Sequence, residues 1–243
     1  VNRINLDHLA VGYTHRPPTL ATLARATSAA AGRHGVLLDI GGGTGAHAAR
    51  WVGEGRIPIV VDPSAAMCAD ASSLRGVVVV CGRSQELPFG DDCASLAYFH
   101  LSIHYGQFVE AIDEACRVTR PFGRIEIWTF APETMSSSAL ATWFPRIGDL
   151  DAARFPPIGD LVDRLREHCD AVEVTCLPED IERSAGSWED AVRHGFVSTL
   201  QLLTEDEIDE GLAHFRSSHR DPDSMYRYTV EFVRIRAALR PLR

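Results

Sequence analysis

The chain has 243 residues, 45% of them hydrophobic, and a formal net charge of −9. That length can bury a full core as one large domain or two small ones, and the acidic balance excludes a dedicated nucleic-acid binder, which needs a basic face. There is no apolar run of about eighteen residues, so no membrane span is expected; a small cationic ligand stays compatible with the charge.

The opening "VNRINLDHLAVGYTHRPP" lacks the charged-then-apolar pattern of a secretion signal, so the chain reads as cytoplasmic. "GVLLDI" (35–40) is a short apolar run closed by glycines, which predicts a buried parallel strand. Thr44 to about Gly53 reads as a helix and "RIPIVVD" (56–62) as the second strand. "PSAAMCADASSL" (63–74) predicts a helix with proline at its first position, where the missing N–H costs little. "GVVVVC" (76–81) and "SLAYFH" (95–100) supply two more strands. "GQFVEAIDEACRVT" (106–119) sets Phe108, Ala111, Ile112, Ala115 and Val118 at helical spacing, "RPFG" (120–123) reads as a turn, and "RIEIWTF" (124–130) as the fifth strand.

Beyond residue 130 the pattern changes. "FPPIGDLVDRLREHC" (155–169) predicts a helix, and "DAVEVTCL" (170–177) and "YRYTVEFVRIRA" (226–237) predict antiparallel edge strands. Between those strands, 187–203 and 204–219 read as helices, the second with Thr204 and Glu207 in a capping-box pattern. This insertion shows no clear core of its own. Six cysteines, at 68, 81, 93, 116, 169 and 176, have neither CxxC nor Cys/His ligand spacing, which predicts reduced thiols and no metal site.

Strand–helix alternation predicts a doubly wound α/β sheet, whose ligand site lies at the carboxyl ends of the strands. "GGGTGA" (41–46) follows the first strand and fits the loose dinucleotide pattern G-x-G-x-x-G/A. Glycines there permit positive φ and a close approach to the main chain. Asp39, just before the loop, argues against a pyrophosphate, since like charges repel. It suits a phosphate-free ligand bearing an ammonium, as S-adenosylmethionine does, with loop N–H groups taking the carboxylate. Asp62, ending the second strand, is placed to accept from both ribose hydroxyls, as a nicotinamide enzyme's acid also would.

With these motifs the sequence resembles the class I S-adenosylmethionine-dependent methyltransferases, in particular small-molecule enzymes of the ubiquinone/menaquinone-biosynthesis type. The likeness runs from roughly Tyr13 to Phe130. "LLDIGGGTG", "VVDPSAAM", "GRSQELPFGDD" (82–92) and "HLSIHYGQFVEAIDEACRVTRPFGRIEI" match the family's successive segments in order. Four residues depart from the pattern: Arg83 and Gln85 stand where acids are common, Ser95 where an aspartate opens the fourth strand, and Phe122 where a glycine is usual.

The resemblance implies a seven-stranded, mostly parallel Rossmann-like sheet with an antiparallel C-terminal edge strand and a helical lid insertion. Its expected parts are an N-terminal lid (1–30), a cofactor core (31–130), substrate-side elements with one core strand (131–225), and a last edge strand and tail (226–243). Cofactor would be held by Tyr13, Asp39, Gly41, Gly42, Gly43, Gly45, Asp62, Pro63, Arg83, Ser84, Gln85 and Phe99, S-adenosylhomocysteine being the product. His104 occupies the place of a histidine frequent in the family and is the candidate base, with His100 a weaker one. Substrate contacts fall to His104, Tyr105, Trp128, Trp143, Phe144 and Arg146; Phe130, His194 and Phe196 are lesser candidates. The loop after the fourth strand lacks the Asn/Asp-Pro-Pro-Tyr/Phe signature of base methylation, so a small, partly apolar acceptor is expected, in a biosynthetic setting. Two other readings stay open: a nicotinamide-dependent oxidoreductase, and a non-methylating descendant or scaffold that keeps the pocket.

Overall fold

The computed structural model of the protein describes residues 4–14 and 19–240, with side chains at 4–10 and 19–240. Among the described residues the strands are β1 (Gly35–Ile40), β2 (Arg56–Asp62), β3 (Val78–Cys81), β4 (Ala94–His100), β5 (Thr119–Thr129), β6 (Cys169–Ser184) and β7 (Met225–Leu239). They form one sheet in the order β3-β2-β1-β4-β5-β7-β6. The first five run parallel, and β7 runs antiparallel to β5 with Glu126 opposite Arg236. Side-chain contacts Arg234–Thr175, Thr229–Asp180 and Arg227–Glu182 keep β6 in a single antiparallel register on β7. This is the expected doubly wound sheet, and its switch point lies between β1 and β4.

The helices are α1 (Leu6–Thr14), α2 (Leu20–Ala29), α3 (Ala65–Ser72), α4 (Phe108–Val118), α5 (Ala139–Trp143), α6 (Pro145–Arg154), α7 (Ile158–His168), α8 (Ala185–Arg193) and α9 (Glu205–Ser218). Central strands are buried on both faces, as Leu37, Leu38, Val60, Val61, Leu96, Ala97 and Phe99 show. The amphipathic α4 buries Ala111, Ile112, Ala115 and Val118, while Phe108 is half-buried. α3 begins where the Ser64 hydroxyl accepts the Met67 N–H, one residue after Pro63. α9 carries the expected capping box, with the Thr204 and Glu207 side chains each accepting the other's backbone N–H. Among the described residues no helix is long and apolar enough to cross a membrane.

Three local expectations need correction. The helix predicted from Thr44 to Gly53 is a series of turns ending in one 3-10 turn, Ala48–Trp51. Gly41, Gly43 and Gly45 take positive φ (68°, 55° and 79°), which breaks any regular helix before it starts. "RPFG" lies inside β5, with Phe122 itself left-handed at φ 60°. The helix predicted over 187–203 stops at Arg193, because Gly195 turns left-handed, and a 3-10 turn, Ser198–Leu202, follows.

The chain divides into two compact units. One holds the described residues of Pro18–Thr129, Pro156–Thr175 and Val233–Arg243, which include β1 to β5. The other holds those of Val1–Pro17, Phe130–Phe155 and Cys176–Phe232. Contrary to the sequence reading, this second unit has a core. Phe144, Ile147, Trp188, Val192, Phe196, Leu212, Phe215 and Tyr226 pack together, with Trp188 stacked 4.1 Å from Phe215. Its aromatics are spread over eighty residues, so no local periodicity reveals them.

Candidate functional site

Two loops meet at the switch point. The glycine loop after β1 is tied to the end of β2: Gly41 and Gly42 donate their N–H groups to the Val61 carbonyl, and Gly43 donates to Asp62 Oδ2 at 2.9 Å. Asp62 Oδ1 accepts the Ser64 N–H, also at 2.9 Å. The loop amides expected to await a ligand carboxylate are thus partly engaged within the protein. Asp62 is buried at 7% exposure, and each of its carboxylate oxygens accepts a backbone amide.

Asp39 is 1% exposed, and its Oδ2 has no hydrogen-bond partner among the described residues. A Cβ on Gly42 would lie 2.8 Å from that oxygen, so only glycine leaves the acid uncovered. Burial pushes Asp39 up to about 7; the Ala48 amide opposes this and nearby Asp62 adds to it. An arriving cation would restore its charge. A phosphate's negative charge would instead push it further toward the neutral form.

Asp39 is the register partner of Tyr98, which is the partner of Glu126, itself opposite Arg236. The Tyr98 hydroxyl is buried without a partner among the described residues, and burial, then Asp39 and Glu126, holds it well above its ordinary range. Above it, His47 meets Tyr98 edge-on at 5.7 Å and His100 at 4.5 Å. Burial, and then the Arg25 charge, depress His47 to about 4, so it is neutral near pH 7. Sequence reading missed both residues. Tyr98 was legible as the period-2 neighbour of His100 on β4; His47 lay in a segment misread as helix.

The chain leaves β4 through Leu101, whose φ of 53° is left-handed and whose N–H donates to the Trp128 carbonyl. Next, the Ser102 hydroxyl donates to the Ile40 carbonyl at 2.6 Å, and a Cβ on Gly41 would overlap the Ser102 side chain. Ser102 thereby locks the β4 loop against the glycine loop, a role the sequence reading did not assign. A 3-10 turn, Ile103–Tyr105, then presents His104 half-buried beside the more exposed Tyr105, their rings 4.2 Å apart.

Gln85 lies over Gly106, where a Cβ would overlap its amide, so the 83–85 segment reaches the end of the β4 loop. Ser84 is half-buried and Arg83 exposed. Arg117 fixes the rest of this segment, donating to the Leu87 and Phe89 carbonyls and pairing with Glu114 and Asp91. Ser95, where an aspartate was expected, donates to the Val36 carbonyl at 3.1 Å and pins β4 to β1.

Residues 38–127, which carry both loops, match the family described as "Methyltransferase domain". The fold matches a crystal structure of a methyltransferase ascribed to an antibiotic biosynthesis pathway of Anabaena variabilis. The TM-score is 0.73 over 93% of this chain and 99% of that one, at 20% identity.

Over residues 38–127 the chain is similar to methyltransferase domains, and its fold is one that solved methyltransferases share.

Geranyl diphosphate C-methyltransferase from Streptomyces coelicolor shares the fold more distantly, with a TM-score of 0.55 at 15% identity, covering 90% of this chain and 78% of that one. An uncharacterized methyltransferase of Mycobacterium tuberculosis is 29% identical over 128 residues, 52% of this chain. The match spans about half the length of that curated relative, 50%.

Other predicted site residues have their side chains occupied in the packing of the chain. Phe99 is fully buried and, by strand alternation, points away from the Tyr98 face. Trp128 is 3% exposed, donates its indole N–H to Glu126, and has the Arg25 guanidinium 4.6 Å above its ring. In the second unit Phe144 stacks on Trp188, Trp143 donates to the Tyr226 hydroxyl, and Arg146 pairs with Glu207. Phe130 packs against Phe155 and Phe232, and Phe196 joins the aromatic core. His194 pairs with Asp190 on α8's last turn. Pro63 offers its carbonyl to the Cys81 thiol. Tyr13 falls on α1, and its side chain lies outside those described. All six cysteines are free thiols, and among the described residues no three metal-binding side chains gather.

Proposed function

We propose that the protein transfers a methyl group from S-adenosylmethionine to a small, partly apolar molecule. The observation that carries this reading is Asp39: a buried carboxyl, unpartnered at Oδ2 and kept uncovered by Gly42. That acid favours the cofactor's ammonium and would repel a dinucleotide's pyrophosphate. Asp62 would take the ribose hydroxyls, with Pro63 beside it, and the Ser84 N–H and Gln85 side chain would meet the adenine.

Bound S-adenosylmethionine supplies a methyl carbon activated by a positive sulfur. The protein's part is to hold the acceptor in line with that carbon, which contributes about 7–11 kcal/mol when the geometry is good. Ser102 and Leu101 fix the turn that presents His104, whose ring would take the acceptor's proton, adding roughly 10²- to 10⁴-fold. His47, held neutral, and Tyr98 pack against His100 and would orient it. Relatives whose names state a substrate, such as the geranyl diphosphate enzyme, support a small-molecule acceptor. The early motifs support the quinone-biosynthesis type within the superfamily.

Calorimetry with S-adenosylhomocysteine and with NADH tests the cofactor, and a screen of acceptors with methyl-labelled S-adenosylmethionine tests the reaction. Binding of NADH without S-adenosylhomocysteine would overturn the reading.

A further inference from the structure

At the end of the sheet away from the glycine loop, β5 opens with a bulge. Thr119 faces Ala94 on β4 and Arg124 faces Leu96, so Arg120, Pro121, Phe122 and Gly123 leave the regular register. The bulge lies level with Val36 and Leu37, where β1 begins. Gly123 closes it, since a Cβ there would stand 2.7 Å from the Arg120 carbonyl. At its tip Phe122 is left-handed and 71% exposed, so the ring packs little and the backbone would suit glycine better. Four arginines gather here. Arg33 donates to the Phe122 carbonyl at 3.0 Å, Arg124 to the Ala29 carbonyl at 3.3 Å and Arg56 to the Arg33 carbonyl at 3.1 Å, while Arg120 is exposed on the bulge itself. Burial, and then the charges of Arg124 and Arg120, hold Arg33 below its ordinary range. Elsewhere in this acidic chain arginines find carboxylates, as Arg164 does in Asp113 and Arg240 in Asp170. Among the described residues none of these four pairs with a carboxylate.

We propose that this bulge is a docking point for an anionic lipid bilayer, with Phe122 entering the boundary between headgroups and acyl chains while Arg33, Arg120 and Arg124 meet lipid phosphates. Charge complementarity sets the sign of the partner, because arginines without carboxylates of their own gain from a negative surface, about fivefold in affinity each. Arg56 adds its charge behind them. Arg33 and Arg124 each spend one N–H on a backbone carbonyl, and a guanidinium has further donors in the same fork for phosphate oxygens. The net charge of −9 opposes docking only weakly, since charges beyond about 8 Å are screened at physiological salt. The aromatic ring favours a bilayer over an acidic peptide. A lone ring on a bulge can sink into lipid, whereas a bound peptide uses a groove or a strand edge. Bulge and glycine loop lie at opposite ends of β1, so docking leaves the candidate site clear.

The test is co-sedimentation of the full chain with vesicles of phosphatidylcholine containing about one-third phosphatidylserine, and with pure phosphatidylcholine. The chain should pellet with the first and not with the second. It should be released at about 1 M salt, where the Debye length falls to about 3 Å. Arg120→Gln removes an exposed charge that makes no side-chain bond among the described residues, and should weaken binding roughly fivefold. Phe122→Gly keeps the turn and should weaken binding roughly tenfold without lowering the urea midpoint, which separates lost docking from lost folding. Phe122→Trp should bind as the wild type does. Pelleting that ignores phosphatidylserine, or that survives both Arg120→Gln and Phe122→Gly, overturns the proposal. So does an absence of pelleting. Binding to soluble poly-glutamate would then assign the bulge to an acidic protein partner, and a dimer that Phe122→Gly dissociates in sedimentation velocity would assign it to a second copy of this chain.

Discussion

Gly43 and Asp62 are joined by a 2.9 Å hydrogen bond from the loop amide to the buried carboxylate, which ties the end of β2 to the turn after β1. The side chain that shapes the glycine loop is thus also the one proposed to take the ribose hydroxyls. Asp62→Asn keeps one carbonyl acceptor but turns an NH₂ toward Gly43 or Ser64. The variant should lose about 1–3 kcal/mol of stability, the cost of a buried amide left without its acceptor. Affinity for S-adenosylhomocysteine should drop roughly 10- to 100-fold, the worth of a charged acceptor. Urea unfolding and calorimetry check the two effects separately. Unchanged affinity with reduced stability would confine Asp62 to a structural role.

Asp39 and His47 give stability opposite dependences on pH. Burial lifts Asp39 from 3.8 to about 7, so between those values the folded protein binds more protons than the unfolded chain, and stability falls as pH rises. His47 is depressed from 6.5 to about 4, so there the folded protein binds fewer protons, and stability falls as pH drops. The two slopes largely offset each other below pH 6.5. Asp39→Asn, which keeps an acceptor for the Ala48 N–H, should gain stability as pH rises from about 4.5 to 6.5, by roughly 1.4 kcal/mol for each unit. His47→Phe should lose it over the same interval; any packing offset is constant and leaves the slope alone. Urea midpoints measured every half unit decide this, and flat profiles in both variants would reject both assignments.

Phe122 holds a left-handed backbone at φ 60° while its ring is 71% exposed. A side chain in that region costs about 1–2 kcal/mol, and glycine's extra freedom when unfolded returns roughly 0.5–1 kcal/mol of it. Phe122→Gly should therefore stabilise the protein by about 0.5–1 kcal/mol, the Arg33 bond to the Phe122 carbonyl being unaffected. Phe122→Ala keeps the backbone cost and should change little. Denaturant midpoints distinguish the pair. Equal midpoints for Gly and Ala would show that the turn carries no strain.

Much of the β1–β2 side of the candidate site was legible in the sequence because its signals are local. Apolar runs closed by glycine marked β1 and β2, and the acids Asp39 and Asp62 sit at strand ends where the fold converges. The Ser102–Ile40 bond, the His47–Tyr98–His100 packing and the close approach of Gln85 to Gly106 join segments about twenty to sixty residues apart, beyond the reach of any local pattern. The same limit hid the aromatic core around Trp188. It also made Trp143, Phe144 and Arg146 look like pocket walls, when their side chains are taken up by Tyr226, Trp188 and Glu207. The helix misread at 44–53 has a different cause. Alternating left-handed glycines override the propensity of "AHAARW".

Glu126 is fully buried in the middle of the sheet, with Oε1 accepting the Trp128 indole N–H at 2.8 Å and Oε2 paired with Arg236 at 2.7 Å. Arg236 is 24% exposed, so its own desolvation is partial. Removing the arginine as Arg236→Leu leaves an uncompensated buried carboxylate and should cost about 3–5 kcal/mol. Glu126→Leu leaves a guanidinium that reaches water but orphans the indole N–H, and should cost less, about 1–3 kcal/mol. The double variant should recover most of the Arg236→Leu loss, because a well-packed apolar pair often replaces a buried ion pair at little cost. A double-mutant cycle on urea midpoints reads the coupling directly. Additive losses would show that Glu126 is satisfied by Trp128 alone and that the pair does not hold β7 on β5.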